Sequence, residues 1–170
     1  MNPSSHGPRR LTAADTALLS SAVALAHRCP PSPTAYSVGA VVADSRGTVL
    51  ATGYSREDGT RVHAEEAALR RLPPGTDLTG ATLYCSLEPC SQRANSPVSC
   101  ADLLIAAGIG RVVVAWREPP LFVASCSGLD RLRAAGVRVE YHASLAEAAR
   151  AANRHLPLPS ISDHPCDGLT

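Results

Sequence analysis

Three separated segments of the sequence carry side chains that can meet at one metal ion. His63 opens an alanine-rich helical segment, Cys90 follows a short apolar strand, and Cys100 comes ten residues after Cys90. One imidazole and two thiolates form a tetrahedral zinc site whose fourth position stays open to water. The fold must therefore bring a helix start and a strand end to one point, and a loop must return Cys100 to it.

A carboxylate follows the histidine by two residues, at Glu65, and both are predicted to lie in the first turn of a helix. Hydrolytic removal of an amino group from an aromatic ring needs a group that carries a proton from water to the ring and to the departing nitrogen. His-x-Glu followed by Pro-Cys-x-x-Cys is the signature of zinc deaminases, in which the glutamate has this role. The sequence thus predicts Zn²⁺ bound by His63, Cys90 and Cys100, with Glu65 as the catalytic residue.

The spacing of the two cysteines departs from that signature. Nine residues, 91–99, separate Cys90 from Cys100, and they are polar and rich in turn-forming types, as expected of a loop at the mouth of a site. Taken separately, the histidine and glutamate could belong to a solvated helix face, and the cysteines could be buried small hydrophobes or a redox pair. Their occurrence in order, each at the predicted end of an element, favours zinc.

The remaining four cysteines are not predicted to bind the metal. Cys85 lies on the strand before Cys90 and is expected in the core or the pocket wall, because it would compete with Cys90 for one ligand position. Cys29 and Cys126 are expected to be free thiols at helix ends, and Cys166 to be exposed in a polar tail.

The length of 170 residues suits one domain with a full hydrophobic core. No apolar run approaches the roughly 18 residues of a membrane span, and residues 1–10 lack the apolar segment of a secretory signal. We expect a cytoplasmic protein with reduced cysteines. Its organisation is predicted as a flexible lead over residues 1–10, a deaminase domain over 11–155 and a flexible tail over 156–170.

The charge pattern argues against a nucleic-acid partner. The net charge is +1, all 16 basic residues are arginine, and aromatic residues make up 4% of the chain. Nucleic-acid binders usually carry a basic stripe and aromatic stacking platforms. We therefore expect a small-molecule substrate, with no nucleic-acid or membrane partner.

The apolar periodicity and the turn signals predict an α/β fold. The expected helices cover residues 11–27, 62–72, 100–107, 129–135 and 144–153, and the expected strands cover residues 38–43, 48–54, 81–85, 111–116 and 137–141. The first two strands form an antiparallel hairpin, and the alternation of strand and helix after residue 80 makes strands 3 to 5 parallel. The predicted architecture is a three-layer α-β-α sandwich with a five-stranded mixed sheet.

Over residues 11–153 the chain resembles the cytidine deaminase-like superfamily, and within it the pyrimidine deaminases of riboflavin biosynthesis. The resemblance rests on residues 63–65, 83–91, 100–115 and 129–137, and no segment resembles that family's reductase domain, so a stand-alone deaminase is expected. It implies the same zinc ligands, with Glu65 as proton shuttle. It also implies that the backbone around Ala64 and Ser86 holds the ring, and that the chain forms a homodimer or homotetramer.

Three segments that face substrate in that family are changed here. The family's Gly-Arg-Thr-Pro-Pro between the cysteines is replaced by residues 93–97, its Pro-Asn-Pro before the first strand by 34–37, and its Asp-Pro-Asn-Pro after the fourth strand by 118–121. Since arginine fits phosphate, Arg61, Arg93 and Asn95 are candidate contacts to a ribose phosphate. The alternative for each arginine is a solvated loop charge.

The predicted function is hydrolytic deamination of a small, pyrimidine-type ring, such as the ribosylamino phosphate of a diaminopyrimidine that precedes riboflavin. The changed segments leave open a free base, nucleoside, nucleotide or triazine analogue. Nucleic-acid editing is disfavoured by the longer cysteine loop and the absence of lysine. A non-catalytic zinc protein is disfavoured because a structural site would have a fourth protein ligand and no need of Glu65.

Overall fold

The computed structural model describes residues 11–94, 96–119, 121–122 and 127–159. The predicted lead over 1–10, most of the predicted tail, Asn95, Cys126 and Cys166 lie outside these residues. Within them, none of the helices combines the length and apolarity that a membrane crossing requires.

Every predicted helix and strand is present, most of them shorter by one or two residues at an end. In chain order the elements are α1 (Ala13–Ala26), β1 (Gly39–Ala43), β2 (Val49–Tyr54), α2 (Ala64–Arg70), β3 (Thr82–Cys85), α3 (Cys100–Ala106), β4 (Arg111–Val114), α4 (Gly128–Ala134), β5 (Arg138–Tyr141), a 3-10 turn (Ala143–Leu145) and α5 (Ala146–Ala151). Thr12 caps α1, in a capping box with Asp15.

The strands form one mixed sheet in the order β2-β1-β3-β4-β5. β1 pairs antiparallel with both β2 and β3, whereas β3, β4 and β5 run parallel. The valines of β4 are fully buried, as expected for a strand covered on both faces. The predicted sheet, with strands 3 to 5 parallel, is confirmed.

Two glycines let a helix approach each face of the sheet. Gly39 pairs with Tyr54 and Ala40 with Gly53, so Gly39 and Gly53 lie on opposite faces. A Cβ atom at Gly39 would lie 2.0 Å from the carbonyl oxygen of Ala22 in α1, and one at Gly53 would lie 2.5 Å from that of Ala64 in α2. Only glycine permits this approach, and the predicted three-layer arrangement follows from it.

The end of the chain packs against the start of the sheet. The amide of Asn153 accepts a hydrogen bond from the backbone N–H of Ser37 at 2.7 Å and donates one to its carbonyl oxygen at 3.0 Å. Leu156 is buried, although the sequence pattern predicts that it belongs to a flexible tail. The packed part of the chain therefore extends beyond the predicted boundary at residue 155.

Candidate metal centre and substrate cavity

The start of α2 presents the histidine and the glutamate together. His63 is the N-cap, in an extended conformation, and α2 begins at Ala64. The prediction that His63 lies in the first turn is therefore wrong by one residue, whereas Glu65 does lie in that turn. The difference matters because the extended N-cap turns the imidazole away from the helix, toward the cysteines.

The three predicted ligand atoms converge. The Sγ atoms of Cys90 and Cys100 lie 3.7 and 3.3 Å from Nδ1 of His63, and all three atoms lie within 4.8 Å of one another. Tetrahedral zinc, with bonds of about 2.3 Å to sulfur and about 2.0 Å to nitrogen, puts neighbouring ligand atoms roughly 3.5–3.8 Å apart. The donor types and their separation therefore fit Zn²⁺, and Glu65 is not part of the ligand group.

The loop after Cys90 returns the second thiol to the first. Ser99 caps α3, and Cys100 is its first residue, so the Cys100 backbone N–H points at Cys90 Sγ, 3.4 Å away. Hydrogen bonding from Cys100 and then from His63 lowers the pKa of Cys90 to about 4. Cys100 donates a hydrogen bond to Cys90, and this bond, together with burial, raises the pKa of Cys100 well above its usual range. Burial alone would lower the pKa of His63, but Cys90 and Glu65 outweigh it and raise that pKa.

Glu65 is buried beside two thiols. Its Oε2 atom lies 3.4 Å from Cys100 Sγ, and its Oε1 atom lies 3.8 Å from Cys85 Sγ. Burial, and then the negative charge of Cys90, raises the pKa of Glu65. Cys85 is buried and outside the ligand group, which agrees with the prediction that it is not a ligand. Its contact with Glu65 has no signal in the sequence, because the two residues lie on separate elements.

A cavity of about 400 Å³ opens onto His63, Glu65 and Cys90. Its wall comes from the segment before β1, the loop between β2 and α2, the cysteine loop and the segment after β4. The lining residues include Tyr36, Arg56, Arg61, Leu87, Glu88, Arg93, Glu118 and Phe122. The volume lies in the range of about 300–1,000 Å³ that small-molecule sites occupy.

Of the residues predicted to contact substrate, two line the cavity and two are buried away from its lining. Arg61 and Arg93 line the cavity, but the guanidinium of Arg93 donates to the carbonyl oxygen of Arg61 at 2.7 Å and lies 3.0 Å from Glu66. Ala64 and Ser86 are buried and are not among the lining residues, and the Ser86 hydroxyl accepts from the Gly39 backbone N–H at 3.1 Å. Asn95 lies outside the described residues.

Two buried carboxyl groups of the cavity are not singled out by the sequence pattern as site residues. Glu88 Oε1 accepts from the Leu129 backbone N–H at 3.0 Å, and its Oε2 accepts from that of Glu118 at 3.3 Å. Glu88 thus ties α4 and the segment after β4 to the strand end that carries Cys90. Burial, then Cys90 and Glu88, raises the pKa of Glu118 to about 8. In the sequence, Glu88 stands two residues before the predicted ligand Cys90, and this position is the one feature that could have pointed to it.

Comparison with known proteins agrees with this geometry. Residues 12–116 match the family model of the cytidine and deoxycytidylate deaminase zinc-binding region. The chain is 41% identical over 117 residues to the diaminohydroxyphosphoribosylamino-pyrimidine deaminase of Schizosaccharomyces pombe, covering 67% of this chain and 28% of that protein. It is 41% identical over 112 residues to the riboflavin biosynthesis protein RibD of Escherichia coli, covering 66% and 29%.

Solved structures show the same fold. The crystal structure of the Thermotoga maritima diaminohydroxyphosphoribosylaminopyrimidine deaminase and reductase has a TM-score of 0.68 and 32% identity, over 82% of this chain and 39% of that one. The present chain spans less than a third of the length of the S. pombe and E. coli relatives. The family match covers the predicted metal ligands His63, Cys90 and Cys100 and all strands up to β4. The chain therefore belongs to the cytidine and deoxycytidylate deaminase zinc-binding family.

Proposed function

We propose that this chain is a zinc-dependent deaminase that hydrolyses an amino group from a pyrimidine-type ring. The observation that carries the proposal is the convergence of His63, Cys90 and Cys100 beside a cavity that His63, Glu65 and Cys90 line, with the carboxylate of Glu65 3.4 Å from Cys100 Sγ. A structural zinc site would use four protein ligands, and the ligand group found in the described part of the chain has three.

Glu65 is the proton carrier in this mechanism. Zinc bound by the three residues supplies Lewis acidity that makes water a strong nucleophile at neutral pH. Water adds to the ring carbon that bears the amino group, and Glu65 takes the proton that the water loses. Glu65 delivers that proton to the ring nitrogen beside the carbon. It then takes the remaining proton of the added hydroxyl group and gives it to the amino nitrogen, the carbon–nitrogen bond breaks, and the nitrogen leaves as ammonia. The hydroxyl oxygen becomes the carbonyl group of the product, so atoms and protons balance.

The relatives support a diaminopyrimidine of riboflavin biosynthesis as the ring. The name of the S. pombe relative states a diaminohydroxyphosphoribosylamino-pyrimidine as its substrate, at 41% identity over 117 residues. Backbone groups around Ala64 and Ser86, and the exposed side chain of Arg61 at the cavity rim, remain proposed substrate contacts. A free base, nucleoside, nucleotide or triazine analogue is the second candidate, and the engagement of Arg93 with Glu66 favours those members that carry no phosphate.

For this reaction we infer a small-molecule substrate with water as co-substrate, a cytoplasmic location for the enzyme, and a homodimer or homotetramer. The size of the cavity supports a small molecule. The domain limits are proposed as residues 11–155, and Leu156 just beyond them is buried.

Ammonia release tests the proposed reaction. Zinc-loaded protein is incubated with a panel of aminopyrimidines, including the diaminopyrimidine with and without its ribose phosphate, and ammonia and product mass are followed. Glu65→Gln should lower kcat by about 10²–10⁴-fold, the usual contribution of a positioned acid and base, while zinc content stays unchanged. Full activity in Glu65→Gln, or no ammonia from any ring with zinc-loaded protein, would contradict the proposal.

Glu147→Gln is the matched control. The Glu147 side chain is 70% exposed on α5 and does not line the cavity. The same chemical change there should leave kcat within about twofold, because exposed surface substitutions usually have small effects.

A further inference from the structure

An arginine occupies a turn position that favours glycine. The turn over residues 54–57 follows β2 and is closed by a hydrogen bond from the Glu57 N–H to the Tyr54 carbonyl oxygen at 3.3 Å. Arg56 is its third residue and has a φ of 66°, the one positive φ outside glycine in the part of the chain that the structure describes. Turns with a positive φ at this position usually hold glycine or asparagine, because a Cβ atom disfavours the left-handed region. An arginine kept there at this energetic cost indicates that its side chain has a role.

The Arg56 guanidinium binds the segment that precedes β1. Its Nε atom donates to the Pro30 carbonyl oxygen at 2.8 Å, and its Nη1 atom donates to that of Tyr36 at 2.9 Å. Its Nη2 atom donates to the same Pro30 oxygen and to the Ser37 hydroxyl, the latter at 3.1 Å. Four of the five guanidinium N–H groups therefore bind protein acceptors, although Arg56 is among the residues that line the cavity.

The segment that Arg56 binds forms one wall of the cavity, the 32–36 wall, which contributes lining residues 32, 34, 35 and 36. The Tyr36 ring packs edge to face on Trp116 and on Phe122, with centroids 5.9 and 5.1 Å apart. The Tyr36 hydroxyl donates to the Pro119 carbonyl oxygen at 3.1 Å. Tyr36 therefore joins the 32–36 wall to the segment after β4, so both sides of the cavity depend on its position.

The backbone of Arg56 is fixed next to the candidate metal centre. Its N–H donates to the carbonyl oxygen of Val62, the residue before His63, at 2.9 Å. The neighbouring Ser55 donates its N–H to the Val38 carbonyl oxygen at 2.9 Å and accepts from the Val38 N–H at 3.2 Å through its hydroxyl. The turn is thus anchored to the chain at β1 and to the start of α2, and the Arg56 side chain connects this anchored turn to the 32–36 wall.

We propose that Arg56 is a positioning residue that holds the 32–36 wall in place for substrate binding. This inference rests on the proposed deaminase function, for which it names a residue that sets substrate affinity without touching the reacting atoms. Without the guanidinium, the 32–36 wall loses these hydrogen bonds and Tyr36 is no longer held against Trp116. The metal ligands and Glu65 lie on other elements and keep their arrangement.

A separation of KM from kcat tests the inference. In zinc-loaded Arg56→Ala, KM for ammonia release from the diaminohydroxyphosphoribosylaminopyrimidine should rise about tenfold, because the wall that meets the ring loses its hydrogen bonds, while kcat and zinc content stay close to wild type. Arg56→Lys should raise KM only about threefold, since its ammonium group keeps three N–H donors. A KM unchanged in Arg56→Ala, or a loss confined to kcat, would overturn the inference.

Arg46→Ala is the matched control. The Arg46 side chain is 84% exposed in the turn between β1 and β2 and does not line the cavity. The same chemical change there should leave KM and kcat within about twofold of wild type, because exposed surface substitutions usually have small effects.

The single tryptophan of the chain reports on the wall without turnover. Trp116 is 2% exposed and packs against Tyr36. Acrylamide should quench its fluorescence about twofold more strongly in Arg56→Ala than in wild type, because local opening exposes buried side chains, and Arg46→Ala should match wild type. Unchanged quenching together with a raised KM would show that Arg56 contacts the substrate directly, and would overturn the positioning role.

The quenching measurement also separates the failure of the two proposals. If zinc-loaded wild type releases no ammonia from any ring, the deaminase function fails and quenching alone decides whether Arg56 holds the 32–36 wall. Stronger quenching in Arg56→Ala then supports that role, and equal quenching overturns it.

Arg56→Gly separates the guanidinium from the backbone strain. Glycine also removes the side chain but adopts a positive φ freely, so this variant should unfold at a higher urea concentration than Arg56→Ala. Its KM and its quenching should nevertheless rise as in Arg56→Ala, because both variants lack the guanidinium. Wild-type KM and quenching in Arg56→Gly would assign the effect of Arg56→Ala to backbone strain and overturn the inference.

Discussion

Two buried clusters of charged residues in this molecule differ in how the protein shifts the pKa values of their carboxyl groups. One joins α1 to the amino end of β4 through Asp15 and Arg111, and the other lies beyond the carboxyl ends of β3 and β4 around Glu65. Ligand sites of open α/β sheets usually lie at the carboxyl ends of strands. The same sheet thus supports a structural cluster at one end and the candidate site at the other.

Within the structural cluster the protein itself compensates each charge. Asp15 accepts hydrogen bonds from the Tyr84 hydroxyl at 2.6 Å and from Arg111 Nη1 at 2.7 Å, and Arg111 Nη2 lies 2.7 Å from Glu140. Burial alone would raise the pKa of Asp15, but Arg111 and Tyr84 outweigh it and hold that pKa well below its usual range. This cluster therefore stabilises the folded state through its ionised form.

In the candidate site, the effect of burial on the pKa values of the carboxyl groups prevails over the interactions that would lower them. Burial is the largest cause of the raised pKa values of both Glu65 and Glu118, followed for each by the negative charge of Cys90. A cluster of this kind reduces the stability of the chain alone and is stabilised by a cation such as Zn²⁺. Here a buried carboxylate with a lowered pKa, Asp15, belongs to the structural cluster, and a buried carboxyl group with a raised pKa, Glu65, belongs to the candidate site.

Loss of a metal ligand should have the largest effect. Cys100→Ala should lower bound zinc from about one ion per chain to a small fraction and reduce ammonia release to background, because two donors hold zinc far less tightly than three. Metal content by mass spectrometry and the rate of ammonia release measure both quantities. Cys29→Ala is the control, since Cys29 is outside the ligand group, and zinc retention in Cys100→Ala would refute the assigned ligand set.

Removing the acid of the structural cluster should cost stability and spare zinc. Asp15→Asn leaves Arg111 without one of its partners, and the free energy of unfolding should fall by about 3 kcal/mol, as for other broken buried pairs. Urea unfolding measures this change. Asp130→Asn, whose side chain is 75% exposed, should change stability by less than about 0.5 kcal/mol. Equal effects of the two substitutions would remove the contrast between the clusters.

The stabilisation by Asp15 should disappear in acid. The pKa of Asp15 is lower in the folded chain than in the unfolded chain, so its stabilisation is complete above the unfolded pKa and is lost as pH falls through the folded one. The difference in unfolding free energy between wild type and Asp15→Asn should be constant from about pH 5 to 7 and shrink below about pH 4, near the ordinary aspartate pKa. Urea titrations at several pH values give this difference, and a constant value down to about pH 3 would contradict the ion pair.

The smallest predicted effect concerns Cys85. Loss of its contact with Glu65 in Cys85→Ala should lower kcat about fivefold, with KM and zinc content unchanged, since one hydrogen bond contributes about 1 kcal/mol. Cys85→Ser should restore part of kcat because serine keeps a donor. A change in KM instead of kcat, or no rescue by serine, would show that Cys85 acts through packing and does not position Glu65.

The sequence alone indicated a candidate zinc-binding group, which the structure brings together, and determined the order of the elements. His63, Cys90 and Cys100 are identifiable because zinc chemistry restricts the donor types, and the strands because short apolar runs bounded by turn residues are typical of buried strands. Even so, α2 begins at Ala64, two residues later than predicted, and His63 is its N-cap in an extended conformation.

Only the tertiary structure decided the environment of the site. The pairing of Arg93 with Glu66, the contact of Cys85 with Glu65, and the use of Glu88 to hold α4 all join residues that are distant in sequence or on separate elements. Whether an arginine in a loop meets a ligand, water or a carboxylate depends on what packs against it, and no local pattern contains that information. The metal chemistry could therefore be predicted from residue types. The charge that the cavity presents to a substrate could not, because it depends on which side chains pack together.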